Sequence, residues 1–260
     1  MRSLLSIVYG LVAYVIFLGS FLYAIGFVGN FAVPKSIDTG PQGSLAQALI
    51  VNLLLLASFA VQHSVMARAG FKRVWTRVVP PAVERSTFVL FASLVLIALY
   101  TFWRPITTPI WTYTEPAATL AFHAVFWLGW GVLLISTFLI NHFELFGLRQ
   151  VFASVRGKPA HEAEFRTPGL YRYVRHPIYL GFVLGFWATP TMTAGHLLFA
   201  VGTTGYILLG IWFEERDLIA RFGNQYRAYR EQVGMLFPWR RTAPMTQGRR
   251  APVEQRPSHP

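Results

Sequence analysis

The chain of 260 residues contains no cysteine. That absence excludes disulfides, a CxxC redox site and any thiolate-ligated metal. Charge is also scarce, at 13% of residues, and acidic charge scarcest, with 11 Asp+Glu against 23 Lys+Arg. The charges that exist are bunched. No charged residue falls between Arg2 and Lys35, Asp38 and Arg68, Arg85 and Arg104, Glu115 and Glu144, or Arg175 and Glu214. A soluble domain needs charge on every exposed face, so these gaps exclude a soluble fold. Each can hold the roughly 20 apolar residues that cross a bilayer core.

The apolar stretch from Leu4 to Val33 is about twice a signal-peptide core, so a retained first helix is expected near 5–29. Further spans are expected near 45–66, 86–103 and 118–140. The last gap is too long for one span. Its Ala-Thr-Pro-Thr-Met-Thr-Ala-Gly run at 188–195 suits a tight turn, giving a hairpin over 177–213 with arms near 177–189 and 194–213. The expected fold is an all-α integral membrane bundle of five to six transmembrane helices, with that C-terminal hairpin and a cytoplasmic amphipathic helix rich in Arg and aromatics after residue 217. Residues 1–241 form one domain in this reading, and 242–260, rich in Pro, Arg and Gln, a disordered tail.

With six crossings and an inner N-terminus, only Lys35 and Arg104 of the basic residues fall in outer loops. The positive-inside rule therefore places both termini in the cytoplasm. The net charge of +12 reads as topology and contact with anionic membrane lipid. No nucleic-acid module is visible, so nucleic acid is not an expected partner.

Chemistry is expected on the inner side, where the long polar segments lie. Tyr171-Arg172-Tyr173-Val174-Arg175-His176-Pro177-Ile178-Tyr179 places Pro177 at a helix start, where free backbone N–H groups and a positive dipole end suit an anion. A snorkelling arginine beside a helix-starting proline explains the same residues without a ligand. At the other end of the gap stand Glu214 and Glu215. Such carboxylates can hold ribose hydroxyls or an ammonium, or can simply pair with nearby arginines.

Taken together, Arg-His-Pro-x-Tyr-x-Gly at 175–181, the apolar hairpin, Glu214-Glu215, Leu218, Phe222-Gly223, Tyr226, Tyr229 and Pro238 resemble the integral-membrane methyltransferases related to isoprenylcysteine carboxyl methyltransferase. The ends of the second and fourth helices, Gln62-His63-Ser64 and Asn141-His142-Phe143-Glu144, look like the branch of methanethiol S-methyltransferases and NnrU-like proteins. What this resemblance implies is S-adenosylmethionine as cofactor, held by Tyr171, Arg175, His176, Pro177, Tyr179 and one of Glu214 or Glu215, with Tyr226 and Tyr229 closing over it. It implies a small thiol as substrate, most simply methanethiol going to dimethyl sulfide, in a bacterial cytoplasmic membrane. Another thiol, a lipid or a prenyl-cysteine is the alternative acceptor.

A thiol must lose its proton to become a nucleophile. His63, His142, Glu144 and Arg149 are the polar groups at inner helix ends that could assist. Structural roles compete: His63 bonding a carbonyl, Asn141-His142 capping a helix, Glu144 pairing with Arg149. No tight His/carboxylate cluster suggests a metal. A membrane haem protein is the remote alternative, weakened because its histidines sit at unmatched depths.

Overall fold

In the computed structural model, residues 2–155 and 165–238 are described. The tail expected over 242–260 lies outside them. The helices follow the apolar blocks. They are α1 (Arg2–Gly29), α2 (Leu45–Ala67), α3 (Ala69–Trp75), α4 (Pro81–Phe102), α5 (Pro116–Ile140), α6 (His142–Leu145), α7 (Leu148–Val155), α8 (Pro177–Trp187), α9 (Ala194–Phe222) and α10 (Asn224–Gln232). Two short strands, β1 (Pro109–Thr112) and β2 (Thr191–Thr193), pair antiparallel. Five helices, α1, α2, α4, α5 and α9, are long and apolar enough to cross a bilayer. Their outward faces carry Leu, Val, Ile and Phe, for example Leu22, Leu54, Leu120 and Leu209, as lipid contact requires.

Two boundaries differ from the sequence reading. The third span begins at Pro81 rather than near 86, and the second hairpin arm runs to Phe222 rather than ending near 213. In both places charged residues, Glu84-Arg85 and Glu214 to Asp217, continue a helix instead of ending it. Glu and Arg are good helix formers, so charge marks where a helix leaves the lipid and not where it stops. At 29 residues, α9 is about 44 Å long against a hydrocarbon core of about 30 Å.

The first hairpin arm is short. Its 11 residues, α8, rise about 17 Å. The chain beyond it extends into β2, which pairs with β1 in the α4–α5 loop. The hairpin turn therefore reaches the face of the bundle that holds this loop. That face is tied by side-chain bonds to backbone: Asn52 bonds both the carbonyl and the amide of Arg104 at 2.8 Å, and Trp103 Nε1 donates to the Ile37 carbonyl at 3.1 Å. Thr193 donates to Asp38 at 2.5 Å.

The packing of α8 on α5 depends on glycine. A Cβ at Gly181 would lie 2.6 Å from the Gly129 carbonyl oxygen and 2.7 Å from the Leu133 amide nitrogen, and one at Gly129 would lie 2.7 Å from the Gly185 nitrogen. These neighbours are backbone and cannot turn aside. Close approach of small residues is how helices gain packing energy in lipid. We expect Gly181→Val to separate α8 from α5 and destabilise the protein by about 3 kcal/mol, read as a lowered midpoint of thermal unfolding in detergent.

Candidate functional site

Arg175 and His176 enter α8, and Glu214 and Glu215 lie two turns before the end of α9. The hairpin returns α9 to the end of the bundle where α8 began, so residues 39 and 40 apart in sequence meet. Arg175 Nε donates to Glu215 Oε1 at 2.8 Å, and His176 Nε2 lies 3.1 Å from the same oxygen. The second oxygen of Glu215 is 3.7 Å from the Arg230 guanidinium. Both Glu215 and Arg175 are nearly buried, with side chains 12% and 11% exposed.

The segment after α10 completes this corner. Gly223, at φ +56°, breaks the helix between α9 and α10, a conformation that favours glycine. The chain then folds back, and the amides of Arg175 and His176 donate to the carbonyls of Gly234 and Met235 at 2.9 and 3.1 Å. Arg175 Nη1 donates to the carbonyls of Arg230 and Val233. The Nε and Nη1 donors of this arginine are thus directed at Glu215 and at backbone.

Glu214 is differently placed. One residue along a helix is a rotation of about 100°, which turns it away from Arg175. Its carboxylate lies 3.8 Å from His176 Nδ1 and is 45% exposed. Tyr179 and Tyr171 stand beside it. Glu215 is therefore consumed by its partners, and Glu214 is the carboxylate left accessible.

Tyr226 and Tyr229 form a buried cluster with Val233, against which Phe165, Leu218, Ile219 and Phe222 pack. Tyr229 donates to the Tyr171 carbonyl at 2.5 Å. Tyr226 Oη is buried and has no hydrogen-bond partner. Burial raises the phenol pKa of Tyr171, Tyr226 and Tyr229, so all three are protonated donors at neutral pH.

The remaining candidates lie apart. His142 is buried at the α5–α6 corner, with Nδ1 at 2.9 Å from Thr137 Oγ1 and Nε2 at 2.8 Å from Tyr14 Oη. Thr137 donates its own proton to the Leu134 carbonyl, so it accepts from Nδ1–H, and Tyr14 donates to Nε2. Both nitrogens of a neutral ring are engaged. Burial lowers the His142 pKa, in keeping with that neutral form. Glu144 pairs with Arg149 at 2.7 Å and with Asn141 Nδ2 at 3.0 Å, while its own amide is capped by Asn141 Oδ1. His63 lies on the other side, between α2, α4 and α9, in ring contact with Phe59, Phe88 and Tyr206. Among the described residues, no hydrogen bond or ion pair joins His63, His142, Glu144 or Arg149 to the Arg175–Glu215 cluster.

The sequence reading missed two participants. Arg230 and the backbone of 233–235 complete the corner, but nothing in their local pattern announces a contact with residue 175.

The comparisons with known proteins bear on this geometry. Residues 47–233 match a family described as a protein of unknown function, DUF1295. The methanethiol S-methyltransferase of Mycobacterium tuberculosis is 59% identical over 92% of this chain and 98% of its own length. Methanethiol S-methyltransferase 1 of Bradyrhizobium diazoefficiens is 56% identical over 92% of this chain and 84% of its own. The Pseudomonas sp. GM41(2012) enzyme of the same name is 48% identical over 92% of each. The chain belongs to the methanethiol S-methyltransferase family. No solved structure is significantly similar to it. The matched stretch in DUF1295 begins in α2 and ends just past α10, so it contains the hairpin and the Arg175–Glu215 cluster and stops short of Gly234 and Met235.

Proposed function

We propose that the protein methylates the sulfur of methanethiol to give dimethyl sulfide, with S-adenosylmethionine as methyl donor. The observation that carries this reading is the meeting of Arg175-His176 with Glu214-Glu215 in a chain of this family. The donor set fits the cofactor on two counts. Glu214 is an accessible carboxylate that suits an ammonium or ribose hydroxyls. Tyr226 Oη is an orphaned buried donor at the same end. S-adenosylmethionine, when bound, supplies a methyl group on a positively charged sulfur.

In this reading Glu214, Tyr171 and Tyr179 hold the cofactor's polar groups, and the backbone N–H groups that follow Pro177 take its carboxylate. Arg175, Glu215 and Tyr229 fix those groups in place, and Tyr226 Oη offers the cofactor a further donor. Glu215 holds His176 by its Nε2, which leaves Nδ1 turned to Glu214. Methyl transfer is an in-line displacement, so positioning supplies much of the rate. His142, Glu144 and Arg149 keep the α5–α7 corner in shape. Headspace chromatography of cells expressing the protein and fed methanethiol will show dimethyl sulfide above an empty-vector control. Equal levels in the two cultures contradict the reading.

We place the basic face, which holds the cluster, in the cytoplasm of a bacterial cell, with 21 of the 23 Lys and Arg residues on that side. Because the chain lacks cysteine, single cysteines report sidedness without background. A membrane-impermeant maleimide will label Thr107→Cys, in the α4–α5 loop, on intact cells and leave Val78→Cys, between α3 and α4, unlabelled. The reverse pattern inverts the topology.

A further inference from the structure

We propose that His63 takes the proton of the incoming thiol, in a niche between α2, α4 and α9 walled by Phe59, Phe88 and Tyr206; this rests on the methyl-transfer reading above. His63, only partly buried as a residue, differs from the buried imidazoles in its bonding. His142 has both nitrogens bonded, His176 is held by Glu215, and His196 Nε2 is bonded to the Phe186 carbonyl at 2.8 Å. The Nδ1 atoms of His63 and His196 are both buried with no partner, but His196 is anchored through Nε2, whereas no hydrogen bond holds the His63 ring among the described residues. A buried, unbonded polar nitrogen costs stability, and a ligand that bonds to it removes that cost.

The surroundings suit a very small, apolar acceptor. The Phe59 ring stacks on His63 at 5.3 Å, Phe88 is 4.8 Å away and Tyr206 meets it edge-on at 6.4 Å. Tyr206 is held by Ser64 at 3.1 Å. Beyond Phe88 stands a fixed cation: Arg85 lies over that ring at 5.0 Å and donates to the Leu145 carbonyl at 2.8 Å. Arg85 of α4 and Tyr206 of α9 are the charged and titratable groups that face His63. Arg68, the residue between α2 and α3, is directed over Phe213 and lies 3.7 Å from Asp217 instead.

The niche and the cofactor corner lie along one face of α9. Tyr206, Gly210 and Glu214 are four residues apart in succession and share that face. At Gly210 no side chain intervenes, and Tyr179 Oη would lie 3.9 Å from a Cβ there. From Glu214 to Tyr206 is a rise of about 12 Å. A donor anchored at Glu214 and extended along this face therefore presents its reactive end toward His63.

The step balances. The S–H proton passes to the free nitrogen of His63, leaving a thiolate beside an imidazolium. The thiolate electron pair forms the new sulfur–carbon bond. The methyl–sulfur bond of the donor breaks, and its electron pair stays on the donor sulfur, so two neutral thioethers result. The imidazolium then gives its proton to water. The Arg85 charge stabilises the thiolate and hastens that last loss.

The test uses the full-length protein in lipid nanodiscs. His63→Gln is expected to lower kcat about 100-fold at pH 7. The loss should shrink as pH rises, because the thiol then ionises in solution without a base. Affinity for S-adenosylhomocysteine should stay within threefold of wild type. As a readout independent of activity, methanethiol added to unloaded, 15N-histidine-labelled wild type should shift one ring resonance, assigned to His63 by its absence from His63→Gln. A loss that is equal at all pH values, or no shifted resonance, overturns the role of His63. Wild-type protein that makes no dimethyl sulfide overturns the function itself.

Discussion

Replacing Glu215 with alanine is expected to abolish methyl transfer, by at least about 1000-fold, and to destabilise the protein by about 3–5 kcal/mol. The size of the effect follows from what the carboxylate holds. It accepts from Arg175 at 2.8 Å and from His176 at 3.1 Å, and it faces Arg230 at 3.7 Å. Removing it leaves the Arg175 guanidinium nearly buried and without its counter-charge. The loss of a partner in such a pair costs more than the pair itself contributes. Arg175 also anchors the chain after α10 through the carbonyls of Arg230 and Val233, so the unpaired cation will pull that segment away. Thermal unfolding in detergent reads the stability loss, and headspace assay reads the activity. Glu215→Gln keeps an acceptor in place and should recover part of the stability while remaining poorly active. A fully stable Glu215→Ala protein would mean that the cluster does not hold the hairpin to α10.

Glu214→Gln is expected to behave in the opposite way, with stability within about 0.5 kcal/mol of wild type and affinity for S-adenosylhomocysteine about 100-fold weaker. A half-exposed carboxylate with no arginine partner contributes little to folding, and a Gln in its place can still accept from Tyr179. His176 Nδ1 approaches Glu214 only to 3.8 Å, and no arginine is bonded to it among the described residues. A charge-assisted bond to a ligand is worth roughly twice a neutral one, and a buried donor left unpaired costs still more. Calorimetric titration separates the two glutamates: binding lost at intact stability for Glu214, both lost for Glu215. Unchanged binding in Glu214→Gln would move the cofactor away from this carboxylate.

Much of this was legible before any coordinates. Stretches free of charge mark lipid, so five long spans and their approximate limits follow from where Asp, Glu, Lys and Arg fall. The pairing of Arg175-His176 with Glu214-Glu215 was also legible, because a hairpin of two apolar arms must bring its ends together. The choice between the two glutamates was not. Adjacent residues on a helix point about 100° apart, and which one meets Arg175 depends on the rotation of α9 in the bundle. Nor could sequence distinguish His63 from His142. Both sit at helix ends among phenylalanines, and only the hydrogen bonds from Tyr14 and to Thr137 show that His142 is engaged and His63 is not. The β1–β2 pairing was invisible for a further reason: strands of four and three residues carry no period. The extension of α9 past the lipid was hidden because charge signals the edge of a membrane and not the end of a helix.

Purified protein in nanodiscs, given methanethiol and S-adenosylmethionine deuterated at its methyl group, tests the central claim most directly. The account predicts dimethyl sulfide three mass units heavier than the unlabelled compound, formed in step with S-adenosylhomocysteine and greatly reduced in Glu214→Gln. Labelled dimethyl sulfide at the level of protein-free vesicles, from a preparation that binds S-adenosylhomocysteine, would contradict it.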